Sequence, residues 1–284
     1  MGKFTGCLLI TDYDGTFTSN IRENYKKNIE AVERFKSEGG VFTFATGRDY
    51  HSLLAIEPEF ENIANTSVIM SNGARLYDIH TKDFIFSYTI NLDLFTGFLD
   101  VLREKHPETG VRFSCKHGMV TPDLNDILKA DLNDIFMRAI PIREMSVAEL
   151  IKSGEEVYKC VMVNDPEIIS DIINIAEDFN ENTNHEFFFS KTYLRGLEAI
   201  RRDASKKSMA LKIKEYLTKE NNIDYKLFAI GDYDNDLEMI KAAYCGASPI
   251  TAVEHVRAAA KINTVSCHDG AVADFIRIIE CDYV

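Results

Sequence analysis

Short apolar runs alternate with helical spacing along the first third of the chain. The run Cys7–Thr11 is short and apolar, which predicts a buried strand of a parallel sheet. Apolar side chains then recur at helical spacing, at Ile21, Tyr25, Ile29, Val32 and Phe35. Further strands are predicted at 41–45 and 68–70. This alternation is typical of a doubly wound, parallel α/β sheet, so we expect a Rossmann-like core.

The pattern changes after about Arg75. Hairpins are predicted at 76–90 and 111–120, on either side of an amphipathic helix at 92–105. Mixed patterns continue to about residue 189, and the α/β rhythm returns with a helix at 205–219 and a strand at 226–230. We therefore expect an α/β core formed by residues 1–84 and 191–284. Residues 85–190 are expected to form an inserted α+β cap domain, because this connection is too long for a loop.

Composition narrows the classes of partner. The 284 residues carry a net charge of −13. An acidic surface repels nucleic acid and anionic membranes, so neither is expected as a partner. No apolar run approaches the ~20 residues of a membrane span. The six cysteines form no C-x-x-C pair, and we expect free thiols in a reducing cytoplasm.

Two carboxylates follow the first predicted strand, in the run Asp12-Tyr13-Asp14-Gly15-Thr16. In an open α/β sheet, ligands bind beyond the carboxyl ends of the strands. Gly15 lets the backbone turn, so both aspartates can face one pocket. Carboxylates in such a place serve as nucleophile, metal ligand or general acid. A polar turn that only caps the strand gives the same pattern.

A second acidic motif, Gly231-Asp232 through Asn235-Asp236, follows the strand predicted at 226–230. Taken alone, it is equally compatible with acids at a helix N-terminus. Together, the two motifs place several carboxylates at one sheet edge, where they repel each other. A hard divalent cation resolves this repulsion, and oxygen ligands favour Mg²⁺ over zinc.

Groups that can bind phosphate lie at two other element ends. Thr46 and the Gly47 backbone amide follow a predicted strand and can donate to phosphate oxygens, with Arg48 beside them. Lys206 begins a predicted helix, where the helix dipole favours acids over cations. This mismatch favours a phosphate-binding lysine over a solvated surface one.

In this order, the motifs resemble those of the haloacid dehalogenase (HAD) superfamily of phosphotransferases. Within it, they are similar to the Cof-type phosphatases with a type IIB cap. Two further segments resemble the family, Asn72-Gly73-Ala74 before the cap and Asp269-Gly270-Ala271-Val272 near the C-terminus. Three places depart from the usual pattern, namely Tyr13, Lys207 and residues 248–252, and none removes a catalytic group.

The resemblance implies a role for each matching residue. Asp12 would be the nucleophile and Asp14 the general acid. Mg²⁺ would be held by the Asp12 side chain, the Asp14 backbone carbonyl and Asp232. Asp236 would orient Lys206. The transferring phosphoryl group would be bound by Thr46, Gly47, Lys206 and Asn235. Candidate substrate contacts are Arg48, Asn72 and Gly73, and also Arg195, chosen because it lies near the expected end of the cap and a guanidinium can bind several oxygens at once.

The implied activity is hydrolysis of a small phosphorylated metabolite, with sugar phosphates as the family's commonest substrates. Three alternatives stay open. A phosphomutase or another phosphotransferase of the superfamily shares these motifs, although a mutase usually has a small helical cap. A signalling receiver also accepts phosphate on aspartate, but it is far shorter and phosphorylated after a later strand. A silent binding protein would lack part of the catalytic set.

Overall fold

The computed structural model describes residues 2–19, 25–132 and 140–284. Ile21, which the sequence places in the first helix, lies outside the described residues. Within the described ranges, the strands in chain order are β1 (Cys7–Thr11), β2 (Val41–Phe44), β3 (Val68–Met70), β4 (Arg75–Asp78), β5 (Asp83–Ser87), β6 (Gly110–Cys115), β7 (Gly118–Thr121), β8 (Ile142–Glu144), β9 (Val157–Val163), β10 (Phe187–Tyr193), β11 (Gly196–Arg201), β12 (Lys226–Ile230), β13 (Cys245–Pro249) and β14 (Ile262–Thr264).

The α-helices of the same ranges are α1 (Tyr25–Ser37), α2 (Tyr50–Ile56), α3 (Phe60–Ile63), α4 (Leu92–Lys105), α5 (Asp126–Asp131), α6 (Val147–Ser153), α7 (Pro166–Asn182), α8 (Lys206–Asn221), α9 (Leu237–Ala242), α10 (Glu254–Ala259) and α11 (Ala271–Asp282). Short 3₁₀ turns occur at Ser71–Gly73, Asp234–Asp236 and Cys267–Asp269. Across the described part of the chain, no helix combines the length and apolarity needed to cross a bilayer.

The chain divides into two compact units. The first contains the residues up to Gly47, Glu59–Phe86 and Ser205–Val284. The second contains Arg48–Pro58 and Ser87–Ala204. The chain thus returns from the second unit to the first after residue 204, whereas the boundary predicted from the sequence lies between residues 190 and 191. Residue 191 lies inside β10, which pairs with β11 and so belongs to the sheet of the second unit.

A parallel sheet forms the centre of the first unit. Its strand order is β14-β13-β12-β1-β2, and every neighbouring pair is parallel. The chain proceeds outward from β1 to β2 on one side and from β12 to β14 on the other. The strand order therefore reverses at β1 and β12, and the carboxyl ends around such a reversal form the usual ligand site of an open α/β sheet.

Aromatic side chains pack beneath the end of β1. The Phe17 ring lies 4.9 Å from that of Phe44 and 5.9 Å from that of Phe42, measured between centroids. Tyr13 is also buried, with its ring centroid 5.6 Å from that of Phe44. The unusual tyrosine between the two aspartates thus fills the core, which fixes the backbone on either side of it.

The second unit is built on a six-stranded sheet of order β10-β11-β9-β6-β7-β8. Neighbouring strands in this sheet are antiparallel, except β7 and β8, which are parallel. Its principal apolar cluster joins α4, α6 and α7 to one side of this sheet, with Phe95, Phe98 and Phe187 fully buried. A separate smaller sheet of the first unit has the order β3-β4-β5.

Candidate active site

Asp12 immediately follows β1, at the reversal of strand order. Its side chain is buried, and its Oδ1 accepts a hydrogen bond of 2.6 Å from Lys206 Nζ. Lys206 is the first residue of α8 and is 1% exposed. Ser205 caps this helix by accepting from the Ser208 backbone N–H. The lysine that the sequence found at a helix start is therefore directed to a buried carboxylate.

Asp236 is the second partner of this lysine and an anchor of its own loop. Its Oδ1 accepts from Lys206 Nζ at 2.7 Å. Its Oδ2 accepts from the backbone N–H groups of Asp232 and Tyr233 at 3.1 and 3.2 Å. A Cβ at Gly231 would lie 2.3 Å from Asp236 Cγ, so only glycine fits there. Asp236 thus orients Lys206 and folds the loop that carries Asp232.

Asp232 lies against the turn that follows Asp12. Its Oδ1 accepts a 2.7 Å hydrogen bond from Thr16 Oγ1. Gly15 has φ of +79°, and a Cβ there would lie 2.5 Å from Asp232 Oδ2. Glycine is needed at this position for both reasons. The sequence identified Asp232 but not Thr16, whose hydroxyl fixes the Asp232 carboxylate.

The Thr46 segment and Asn235 meet at Asn72. Thr46 is fully buried, and its carbonyl oxygen accepts from Asn72 N–H at 3.0 Å. Asn235 donates through Nδ2 to Asn72 Oδ1 at 2.9 Å. Gly47 lies beside the same amide, since a Cβ there would be 3.1 Å from Asn72 Oδ1. The structure therefore brings together Thr46, Gly47, Asn72 and Asn235 from three distant parts of the chain.

Burial and the charges of neighbouring carboxylates determine the pKa shifts in this cluster. Burial raises the pKa of Asp12 well above its ordinary value; Lys206 opposes this rise, and Asp236, Asp232 and Asp14 add to it. Burial, together with the charge of Asp236, raises the pKa of Asp232 to about 6. Burial lowers the pKa of Lys206, but Asp12 and Asp236 raise it more, so the lysine stays charged. One buried cation faces several carboxylates, which favours binding of a further cation.

The donor set fits a magnesium ion. Asp12, Asp232 and Asp236 place carboxylate oxygens within 4.8 Å of one another. Because Asp236 is engaged by Lys206 and two backbone N–H groups, Asp12 and Asp232 are the side chains suited to hold the metal. Both supply hard oxygen ligands, the type that Mg²⁺ prefers.

Three predicted residues make no hydrogen bond described above to this cluster. Asp14 is exposed in the turn after Asp12. Arg48 belongs to the second unit and donates to Ser52 Oγ at 3.1 Å. Arg195 also belongs to the second unit, where its guanidinium pairs with Asp165 at 3.0 Å and donates to the Asn164 carbonyl oxygen at 3.3 Å. Both arginines stay predictions as substrate contacts.

The order and geometry of these groups agree with one protein family. A family model described as haloacid dehalogenase-like hydrolase matches residues 9–276. The chain belongs to this family. As a HAD-like hydrolase, it has the predicted family, fold class and enzyme class, and these three predictions are confirmed.

Two proteins similar to this chain are named as phosphatases. The 5-amino-6-(5-phospho-D-ribitylamino)uracil phosphatase YitU of Bacillus subtilis is 22% identical over 277 residues, which cover 95% of this chain and 96% of YitU. The pyridoxal phosphate phosphatase YbhA of Escherichia coli is 23% identical over 288 residues, which cover 95% of this chain and 97% of YbhA. A solved structure of a HAD subclass IIB sugar phosphatase aligns with a TM-score of 0.76 at 19% identity, covering 96% of this chain and 98% of that one.

Proposed function

We propose that this HAD-like hydrolase is a Mg²⁺-dependent phosphatase that acts on a small phosphorylated metabolite through an aspartyl-phosphate on Asp12. The observation that carries the proposal is the buried Asp12 carboxylate at the reversal of strand order, with Lys206 Nζ at 2.6 Å. Asp232 lies in the same carboxylate cluster. An anionic nucleophile can approach an anionic phosphate only where cations such as Lys206 and the proposed Mg²⁺ neutralise the charge.

The chain's own residues account for both halves of the reaction. An Asp12 carboxylate oxygen forms a bond to phosphorus as the bond from phosphorus to the leaving oxygen breaks, and Asp14 gives its proton to that oxygen. Water then attacks phosphorus and loses a proton to Asp14, the bond to Asp12 breaks, and inorganic phosphate leaves. Lys206 neutralises the phosphoryl oxygens, and Asp236 holds Lys206. Mg²⁺, held by Asp12, Asp232 and the Asp14 carbonyl, would supply further charge neutralisation.

Relatives with different specificities support the choice of substrate class. YitU and YbhA are named for phosphorylated compounds of small size, and the aligned subclass IIB structure is that of a sugar phosphatase. We propose a phosphorylated metabolite of similar size, with sugar phosphates as the first class to test. The cytoplasm is the proposed location.

The test replaces the nucleophile and an exposed acid in parallel. Asp12→Asn is expected to remain folded and to lose at least ~10³-fold in kcat, because the neutral amide cannot attack phosphorus. Asp224→Asn removes an acid that is 92% exposed, and it should keep wild-type kcat. Release of inorganic phosphate from a panel of sugar phosphates, with Mg²⁺ or with EDTA, is the measurement. Near-normal turnover by Asp12→Asn would sink the mechanism, and isomerised substrate without released phosphate would identify a mutase.

A further inference from the structure

The turn Ser71–Gly73 has a backbone conformation that most residues avoid. Its three φ angles are +51°, +58° and +95°, so three consecutive residues lie in the left-handed region. Ser71 Oγ is buried and has no hydrogen-bond partner in the described part of the chain. Strain and unpaired buried polar atoms both oppose folding, and strained backbone of this kind clusters at functional sites.

Asn72 connects two segments that carry candidate phosphate ligands. Its backbone N–H donates to the Thr46 carbonyl oxygen at 3.0 Å. Its side-chain Oδ1 accepts from Asn235 Nδ2 at 2.9 Å. The residue is 2% exposed, so water competes little for this hydrogen bond. The Asn72 residue therefore fixes the distance between the end of β2 and the loop before α9.

Gly73 adds the third segment. A Cβ at Gly73 would lie 2.2 Å from the Ser205 carbonyl oxygen and 2.8 Å from the Ser205 nitrogen. Ser205 is the N-cap of α8, whose first residue is Lys206. The turn is thus packed directly against the backbone that presents the buried lysine. Because Asn72 has a positive φ, its side chain can accept the hydrogen bond from Asn235 while Gly73 packs against Ser205.

We propose that Asn72 is a positioning residue for phosphoryl transfer. Its amide and its left-handed backbone set the spacing between the Thr46–Gly47 segment, Asn235 and the helix of Lys206. The proposal rests on the proposed function, and it assigns Asn72 an action through its neighbours. Asparagine suits the position because it tolerates positive φ and carries an acceptor for Asn235. Glycine would satisfy only the backbone, and aspartate would add a negative charge beside the phosphate site.

Two substitutions separate the amide from the backbone. Asn72→Gly keeps the left-handed backbone and removes only the amide, so its thermal unfolding midpoint should fall less than that of Asn72→Ala. Its kcat should fall on the order of 100-fold, with a smaller change in KM, because misplaced ligands stabilise the transition state less. Asn72→Ala should lose as much kcat and also unfold at a lower temperature, because alanine is disfavoured at positive φ. Wild-type kcat in Asn72→Gly would overturn the proposal.

A second measurement does not depend on turnover. Binding of inorganic phosphate in the presence of Mg²⁺ is measured by calorimetry for the wild type, Asn72→Gly, Asn235→Ala and the double variant. Each single substitution should weaken binding, and the double variant should be no weaker than Asn235→Ala, because the Asn72 amide acts through Asn235. Additive losses, or unchanged affinity in Asn72→Gly, would overturn the positioning role. A wild type that binds phosphate but hydrolyses no ester would instead overturn the proposed function alone.

Discussion

Two aspartates separated by one residue have opposite surroundings. Asp12 is buried against the Lys206 ammonium, whereas Asp14 is exposed. A buried carboxylate held by a fixed cation has a single orientation, which suits a nucleophile. The exposed Asp14 carboxyl can be reached by substrate and by water, the two partners in proton transfer that the proposed mechanism gives it. The same motif can therefore perform two roles because only one of its acids is buried.

The buried lysine allows a test against its own neighbour. Lys206→Gln removes the cation between Asp12 and Asp236, and it should cost about 3–5 kcal/mol of unfolding free energy as well as nearly all turnover. Lys207→Gln removes a half-exposed charge that pairs with Glu238 at 3.6 Å, and it should change stability by no more than about 0.5 kcal/mol. Urea unfolding and kcat measure both effects. Equal stability and activity in the two variants would mean that the buried ion pair is unimportant.

Thr16 offers a test of the metal site that spares every carboxylate. Thr16→Val keeps the shape of the buried side chain and removes the hydroxyl that donates to Asp232 Oδ1. We expect Mg²⁺ affinity to fall by roughly 10-fold, because partners of a ligand orient it towards the metal. Thr16→Ser keeps the hydroxyl and should retain most of that affinity. Calorimetric titration with Mg²⁺ gives the comparison, and identical affinities in both variants would remove Thr16 from the site.

At the scale of elements, α1 and α11 meet beside the turn that follows Asp12. Asn28 of α1 is fully buried and donates to the Phe17 carbonyl oxygen at 2.7 Å. Its Oδ1 accepts from the Ala273 backbone N–H at 2.9 Å, near the start of α11. At the other end, Glu280 of α11 pairs with Arg34 at 2.6 Å and Lys3 at 2.7 Å. The turn that carries Asp14 is therefore tied to the last helix.

The Glu280 cluster predicts a pH dependence of stability. Hydrogen bonds from Arg34 and Lys3 lower the pKa of Glu280 to about 2. A lowered pKa in the folded state means that this contribution is complete above the ordinary glutamate pKa and disappears as the pH falls towards about 2. Glu280→Gln should therefore lower the urea midpoint at pH 7, and the gap from the wild type should narrow between pH 5 and pH 3. A gap that is constant with pH would contradict the prediction.

Element bounds were predictable where apolar runs end in clear turn signals. The predicted strands at 68–70 and 226–230 and the helix at 92–105 agree with β3, β12 and α4. The 3₁₀ turn Asp234–Asp236 precedes α9 because Asp236 shapes this loop by accepting two backbone N–H groups, a tertiary feature that the local sequence does not encode. The boundary predicted at residue 191 differs from the observed one because β10 pairs antiparallel with β11, so both strands belong to the second unit. Local sequence does not encode this pairing.

The candidate site was partly predictable for the same reason. Each motif could be placed at a strand or helix end, and parallel strands bring such ends to one edge. The pairing of Lys206 with Asp12 spans 194 residues and follows from tertiary packing, so only the family resemblance pointed to it. Thr16 and Asn72 act through hydrogen bonds to distant residues. The only local signal at Asn72 was the glycine that follows it.

At the scale of the whole molecule, the acidic surface repels an anionic substrate, whereas Lys206 attracts it. A net charge of −13 repels phosphorylated metabolites at long range. The positive charge of Lys206 offsets this repulsion only at short range. A bound divalent cation would increase the local positive charge. Turnover at low substrate concentration should therefore depend on bound metal as much as on the lysine. The central claim of the proposed mechanism is that the phosphoryl group is transferred covalently to Asp12.

That transfer can be measured directly. A rapid acid quench of the Mg²⁺-loaded protein with substrate labelled in its phosphoryl group should trap label on the protein before the first turnover is complete. Peptide mapping should place the label on Asp12, Asp12→Asn should trap none, and Asp224→Asn should trap as much as the wild type. Labelled inorganic phosphate released by the wild type, with no labelled protein at any quench time and no initial burst, would contradict the account.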